Sequence, residues 1–256
     1  MDKLIDLTGK SALVTGGARG IGKAIVAALA GCGADVVIAD SRGEEATATA
    51  RELANGTRIS AVQADVTRLD DVQAAVQHAI AELGKIDILV NCAGWDRMMP
   101  FLKTTPELWD RVIGINYRGV IHTCYAVLPH MQQRQQGAIV NISSDSARVG
   151  SLGEAIYAGA KAAIIAFSKT LAREHARDHV RVNVICPGLV ETPLVEEMHQ
   201  EDFGHKVLGS ILNFIPLKRF AKPEEIAPLV AFFASDAASY ITGQVVSING
   251  GLTMVV

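Results

Sequence analysis

Short apolar runs alternate with longer amphipathic ones along the first hundred residues. Ser11–Thr15, Ala34–Ala39, Arg58–Gln63 and Ile86–Val90 are brief, β-prone and close to continuous in apolar or small residues. Runs of that kind suit strands buried on both faces. Helical spacing fills the gaps between them: Lys23–Ala30, closed by Gly31 and Gly33; the polar-faced Arg42–Ala54; and Leu69–Leu83, with Val72, Ala75, Val76, Ala79 and Ile80 recurring at helical intervals. Four β-then-α units in series predict an α/β fold, a parallel sheet covered by helices on both faces. The same rhythm continues with a helix over Thr105–Gln133, bent near its middle, and a strand over Gly137–Asn141. An Ala-rich helix then runs to Ala176, followed by strand Val180–Ile185, helix Pro223–Ser235 and strand Gly243–Ile248. Pro223 and the acidic pair Glu224-Glu225 are favourable in a first helical turn, while Pro228 bends or ends that turn. Leu189 to Lys222 is the longest stretch without a clear period.

Composition narrows the function classes. Of 256 residues, 49% are hydrophobic and 20% charged, enough for a substantial core. A net charge of −3 argues against nucleic acid or an anionic membrane surface as partner. No apolar run reaches the ~18 residues that span a bilayer, and Met1–Leu7 has no long apolar core of a signal peptide. Cys32, Cys92, Cys124 and Cys186 are isolated from one another in sequence, so they read as packing thiols in a reducing, cytoplasmic compartment. His175 and His179 are four apart with no third ligand in view, and no metal site is expected.

Ligands of open α/β sheets bind beyond the carboxyl ends of the strands. Five sets of chemically able residues fall at such ends. The first is Gly16-Gly-Ala-Arg-Gly-Ile-Gly22, between a strand and a helix. Glycines permit positive φ and close approach, and the helix start offers free N–H groups to a phosphate. Its Gly-x-x-x-Gly-x-Gly spacing differs from the common dinucleotide fingerprint. Asp40 ends the second strand, 24 residues after Gly16. A carboxylate there accepts from a ribose diol and repels a 2′-phosphate, favouring NAD over NADP, whereas Arg19 and Arg42 pull the other way. Asp65-Val66 offers an edge and a face to adenine, and Asn91-Cys-Ala-Gly94 lets backbone approach a ligand.

The last set is Ser143-Ser144 with Tyr157 and Lys161. The tyrosine and lysine are four apart on one helix face. A free phenol has a pKa near ~10, and a neighbouring ammonium favours its ionised form. The pair is thereby suited to exchange a proton near neutral pH, with a serine hydroxyl beside it for a substrate oxygen. Asn116 lies among Val112, Ile113 and Ile115. It reads either as a core asparagine or as a helix kink holding a water near Lys161. Pro187 and Gly188 shape a turn, and Thr192 presents a hydroxyl.

Together, Thr15–Gly22, Asp65, Asn91–Gly94, Asn116, Ser144, Tyr157-x-x-x-Lys161 and Pro187-Gly188 resemble the short-chain dehydrogenase/reductase family across essentially the whole chain. The resemblance implies one Rossmann-like, doubly wound domain over residues 1–256 with a seven-stranded parallel sheet, and a substrate lid at about 189–222. Tyr157 is then the acid/base, Ser144 polarises the substrate oxygen, Lys161 holds the nicotinamide ribose and lowers the phenol pKa, and Asn116 anchors a relay water. Gly16, Arg19, Gly20, Ile21 and Gly22 face the pyrophosphate, Asp40 the adenosine ribose, and Asp65 and Val66 the adenine. Asn91, Ala93, Gly94, Pro187, Gly188, Val190 and Thr192 complete the cofactor site. Cys92 and Gly159-Ala160 depart from the usual motif without touching a catalytic atom. Asn91–Asp96, Ser144–Ala155, Ser168–Arg177 and Gly250–Met254 further resemble members that oxidise cyclic or branched β-hydroxyacyl-CoA thioesters, which puts Arg97, Lys103 or Arg148 near CoA phosphates. A 3-oxoacyl-acyl-carrier-protein reductase, or another short-chain alcohol or sugar dehydrogenase, shares the same motifs. A catalytically silent dinucleotide-binding protein is the remote alternative. The likeness also implies a homotetramer, built on the helices near 105–133 and 155–176.

Overall fold

Seven parallel strands form one sheet: β1 (Ser11–Thr15), β2 (Asp35–Asp40), β3 (Ile59–Gln63), β4 (Ile88–Asn91), β5 (Gly137–Ile142), β6 (Val180–Pro187) and β7 (Val245–Ile248). Their order is β3-β2-β1-β4-β5-β6-β7 in the computed structural model, which describes residues 5–54 and 56–255. Winding reverses between β1 and β4, the switch point where such sheets open a crevice. The register aligns the strand ends. Thr15 pairs with Ala39 and Asn91, and Asn91 with Asn141. The glycine loop, Asp40, Asn91–Gly94 and Ser143-Ser144 therefore emerge along one edge, as the sequence pattern predicts.

Helices α1 (Gly20–Gly31), α2 (Gly43–Leu53) and α10 (Pro223–Ala234) cover one face. Ile25, Leu29, Ala46, Ile226 and Val230 join Val14, Ile38 and Val90 in its core. Helices α3 (Leu69–Leu83), α5 (Gly119–Arg134) and α7 (Ala155–Glu174) cover the other. There Val76, Ala79, Val127, Met131 and Ile164 pack on Leu13, Leu89 and Ile139. By length and composition α7 is apolar enough to cross a membrane, a property that scanning for a continuous apolar run overlooks. Its Ile164, Leu171 and Ala172 pack into this core, the position of a core helix.

Four local details differ from the sequence pattern. The glycine loop runs directly into α1, which begins at Gly20 rather than Lys23. The helix expected over Thr105–Gln133 divides into α4 (Pro106–Ile113), a π-helical turn (Gly114–Arg118) and α5. Asn116 Nδ2 donates to the Val112 carbonyl at 2.8 Å, the acceptor its own backbone N–H would use in an α-helix, so the ladder slips by one residue. The aperiodic stretch after β6 contains α8 (Pro193–His199) and α9 (Asp202–Phe214). Their Met198, Val207 and Leu208 pack against Met98 in a small separate cluster. Pro228 does not end α10, which continues to Ala234. The short α6 (Ser146–Val149) connects β5 to the loop before α7.

Candidate active site

The β1–α1 loop is built for backbone approach. Gly16 and Gly20 have φ of +69° and +55°, a region that favours glycine. A methyl on Gly16 would lie 2.6 Å from Ala93 Cα, and one on Gly22 would overlap the Gly16 carbonyl. The loop thus packs against the end of β4 and leaves the N-terminal N–H groups of α1 facing a cavity of about 750 Å³. Gly16, Arg19, Gly20, Ile21, Gly22, Asp40, Asp65, Val66, Ala93 and Gly94 line it. So do Ser144, Tyr157, Lys161, Pro187, Gly188, Val190 and Thr192. These residues fit a nicotinamide dinucleotide: an anion cradle at the glycine turn, an acceptor at Asp40, and a cation with hydroxyls at the far end.

Asp40 is 8% exposed. Its two oxygens accept backbone N–H groups of Ala18 and Arg42, each at 3.0 Å, so it caps its own strand end as well. A carboxylate retains acceptor capacity after two such bonds. Both arginines that would offset its charge are committed to glutamates. Arg19 meets Glu197 of α8 at 2.9 Å, and Arg42 meets Glu45 at 3.7 Å.

Lys161 is 3% exposed and donates to the Ile142 carbonyl at 2.9 Å. Its ammonium lies 5.6 Å from the Tyr157 ring centroid. Burial pulls this lysine down from 10.5 to about 8. Tyr157 hydrogen-bonds Ser144, whereas Ser143 turns away to donate to the Lys161 carbonyl at 2.8 Å. The phenol itself departs from the sequence expectation. Burial, then the charges of Glu154 and Asp96, hold it well above 10, and only the Ser144 bond opposes them substantially. Desolvation of the phenolate is the largest cause, while the Lys161 ammonium lies over the ring and donates to the Ile142 carbonyl. Burial likewise pushes the neighbouring Cys92 thiol up to about 12, so it remains an un-ionised packing group.

Asn116 is fully buried at the π-helical turn. Its Oδ1 accepts from Trp95 N at 3.3 Å and its Nδ2 donates to Trp95 O at 2.6 Å. A methyl on Gly94 would sit 3.1 Å from Asn116 Oδ1 and 3.4 Å from Lys161 Nζ. The side chain is thus satisfied, as a core asparagine must be, and it sits on the π-helical turn next to Lys161. Asn91 does not line the cavity. Its Nδ2 donates to Asn141 Oδ1 at 2.7 Å and its Oδ1 accepts from Thr123 at 2.6 Å, beneath the strand ends. Asn141 in turn donates to Ser168 at 2.8 Å. This network braces β4, β5, α5 and α7 under the site.

Two of the three cations considered for CoA phosphates are committed elsewhere. Arg148 donates to Ser247 and to the Val255 carbonyl, each at 3.0 Å, holding the C-terminal segment. Arg97 pairs with Glu201 at 3.0 Å. Lys103 lies in the 3-10 turn Phe101–Lys103. The sequence reading missed other cavity residues: Arg111, stacked 3.7 Å over the Trp95 ring, and Arg118 on the π-helical turn. It also missed Asp96, Ser146 and Glu154, which gather beside Tyr157. The position of Trp95-Asp96 immediately after Gly94 was the available signal.

Known proteins resemble this chain over nearly all of its length. The adh_short_C2 family model, described as enoyl-(acyl carrier protein) reductase, matches residues 16–253. The oxidoreductase UcpA of Salmonella typhimurium is 44% identical over 253 residues, covering 97% of this chain and 96% of that protein. The 3-oxoacyl-(acyl-carrier-protein) reductase FabG of Thermotoga maritima is 39% identical over 250 residues, covering 97% and 99%. A crystal structure of 3-ketoacyl-(acyl-carrier-protein) reductase from Brucella melitensis, complexed with NADH, superposes with a TM-score of 0.89 at 32% identity, covering 97% of this chain and all of that one. Glycine loop, strand-end acid and Ser-Tyr-Lys cluster on a seven-stranded parallel sheet thus accompany full-length similarity, and the chain belongs to the short-chain dehydrogenase/reductase family of oxidoreductases.

Proposed function

We propose that this enzyme interconverts a secondary alcohol and a ketone with NAD, using Tyr157 as acid/base. The observation that carries the reading is the convergence of Ser144, Tyr157 and Lys161 at one end of the cavity whose other end holds the glycine turn and Asp40. When bound, the nicotinamide supplies or accepts the hydride. Tyr157 exchanges the proton of the reacting oxygen, and Ser144 hydrogen-bonds that oxygen and orients it. Lys161 places a cation beside the phenol and offers ammonium protons to the cofactor ribose, with Asn116 behind it for a relay water. Asp40 supports NAD over NADP, since its buried carboxylate opposes a 2′-phosphate and Arg19 and Arg42 are engaged by glutamates. The NADH complex of the Brucella melitensis relative agrees with that choice.

The names of the reductases above favour a 3-oxoacyl thioester and its hydroxyacyl counterpart as the substrate pair. The cyclic case, as in 2-hydroxycyclohexanecarboxyl-CoA dehydrogenase, rests on the sequence segments alone, and the commitments of Arg97 and Arg148 weaken it. We place the enzyme in the cytoplasm, with residues 189–222 as its lid. A homotetramer is the proposed assembly; Tyr125 of α5, 65% exposed, suits a helix that packs on a symmetry mate. A monomer mass by light scattering would refute that assembly.

The decisive assay follows nicotinamide absorbance with NAD or NADP. It uses acetoacetyl-CoA and 3-hydroxybutyryl-CoA, a cyclic hydroxyacyl-CoA, simple secondary alcohols and sugars. NAD-linked turnover of the thioesters is expected. Turnover of free alcohols or sugars alone would discard the thioester reading, and cofactor binding with no turnover anywhere would favour a silent binding protein.

A further inference from the structure

Asp145 directly follows Ser144 and is 3% exposed, yet it does not line the cavity. Its backbone N–H donates to the Pro187 carbonyl at 2.8 Å. Its carboxylate receives the C-terminal segment. Ser247 Oγ donates to Oδ1 at 2.8 Å, while Asn249 Nδ2 and Thr253 Oγ1 donate to Oδ2 at 3.0 and 2.7 Å. The surrounding bonds complete the count. Ser247 Oγ accepts from Arg148 at 3.0 Å, and Asn249 Oδ1 accepts the Gly251 N–H at 2.9 Å. One Asn249 Nδ2 proton goes to Asp145, and the other is shared between the carbonyl and Oγ1 of Thr253, at 2.9 and 3.0 Å. Three donors thus meet two oxygens that only accept, a match that a carboxamide, which brings donors of its own, would break.

The cluster ties three neighbouring strand ends together. Ser144 and Asp145 follow β5, Pro187 ends β6, and Asn249 follows β7. Gly188 N donates to the Ile248 carbonyl at 2.9 Å, and a methyl on Gly188 would lie 2.9 Å from Asn249 Cα. The Pro187-Gly188 turn therefore rests on the segment that Asp145 grips. Leu217 N donates to the Gly250 carbonyl at 3.2 Å, which seats the end of the 189–222 stretch on the same segment. Ser144, Pro187 and Gly188 line the cavity, whereas Asp145, Ser247, Asn249 and Thr253 stand behind it. The spacing between the serine and the turn is thus set from behind, through the Asp145 backbone to Pro187 and through its side chain to Asn249.

We propose that Asp145 is a positioning residue for the reaction: it locks residues 247–253 behind the site and so fixes Ser144 relative to the Pro187-Gly188 turn. The inference rests on the role given above to Ser144. A hydroxyl that must meet the reacting oxygen tolerates little displacement, since a misplacement of about 1 Å costs on the order of 10²-fold in rate. Binding of the adenosine half of the cofactor depends on the glycine turn and Asp40, which the cluster does not touch.

The test measures kcat per NADH-binding site, with the substrate that turns over in the assay above. It compares wild type, Asp145→Asn, Thr253→Val, Thr253→Ser and the double variant of Asp145→Asn with Thr253→Val. Asp145→Asn should lower kcat by about 10- to 100-fold and leave KM for NAD within about twofold. Thr253→Val keeps the volume and removes the hydroxyl, and should lower kcat by about fivefold or more, whereas Thr253→Ser restores it. The double variant should be no slower than Asp145→Asn, because both changes cut the same link. A purely structural role would reduce the number of binding sites and leave kcat per site unchanged. The proposal is overturned by a kcat per site for Asp145→Asn within about twofold of wild type, by equal losses in Thr253→Val and Thr253→Ser, or by losses that multiply in the double variant. If Asp145→Asn does not fold, the two Thr253 variants decide alone. Hydrogen exchange reads the same link without turnover. The Asp145 and Gly188 amides, which donate to Pro187 and Ile248, should exchange faster in Thr253→Val and at the wild-type rate in Thr253→Ser. Unchanged exchange in Thr253→Val would also overturn the proposal. Wild type that binds NADH and turns over no substrate would instead remove the catalytic reading itself, leaving exchange to judge whether Asp145 fixes Ser144 against the turn.

Discussion

Lys161 carries its charge at a site that resists it. The ammonium is 3% exposed, and its pKa lies at about 8 against 10.5 for an ordinary lysine. That gap corresponds to about 3 kcal/mol of disfavoured charge in the folded protein. Lys161→Met keeps the apolar stem and removes the charge. It also leaves the Ile142 carbonyl without its 2.9 Å donor, a loss of about 1 kcal/mol. The net expectation at neutral pH is a variant about 2 kcal/mol more stable, roughly 4–8 °C in Tm for a chain of this size, and with no turnover. The pH dependence follows from proton counts. Below about 8 both folded and unfolded wild type hold the proton, so the full destabilisation is present. Between about 8 and 10.5 the unfolded chain holds more protons than the folded one, so wild-type stability rises with pH and the gap to the variant closes. Thermal unfolding at about pH 7 and about pH 9.5 measures both quantities. A variant no more stable than wild type at the lower pH, or a gap that ignores pH, would refute the reasoning.

Tyr157→Phe should reduce kcat by about 10²–10⁴ and leave NAD affinity, read by fluorescence, within about twofold; retained turnover would withdraw its role. Asp40→Ala should lower the NAD/NADP ratio of kcat/KM by about tenfold or more, since the charge that opposes a 2′-phosphate is gone; an unchanged ratio would assign Asp40 to strand capping alone. Asn141→Ala removes the acceptor of Asn91 Nδ2 and the donor to Ser168, and should reduce stability in urea by about 2–4 kcal/mol. A loss below about 1 kcal/mol would mean that the network does not brace the site.

The stability and activity predictions share one physical origin. Tyr157 and Lys161 both sit where their charged forms are disfavoured, the phenol raised and the ammonium lowered. Perturbations of that kind are typical of functional sites, which hold groups in states that water would not favour. The buried asparagine network beneath them is fully hydrogen-bonded, which gives the strained pair a rigid floor.

Periodicity and glycine placement were enough to determine the α/β class, the strands, and the edge on which chemistry gathers. Both signals are local: a buried parallel strand must be apolar throughout, and a phosphate turn must lack side chains. Tyr157 and Lys161 were legible for the same reason, since four residues of helix bring them together whatever the rest of the chain does. What depended on distant packing was not legible. Asn91 looked like a ligand residue until Asn141 and Thr123, from β5 and α5, closed around it. Arg148 looked free until Ser247 and the Val255 carbonyl, about a hundred residues away in the chain, engaged it. The phenol pKa changed sign from expectation because burial, Glu154 and Asp96 act through space, where the spacing to Lys161 has no say. Sequence therefore determined which groups are present and which sheet edge they share. Tertiary structure decided which atoms remain available to a ligand and which charge each one bears, because desolvation and hydrogen-bond satisfaction exist only once the chain has packed.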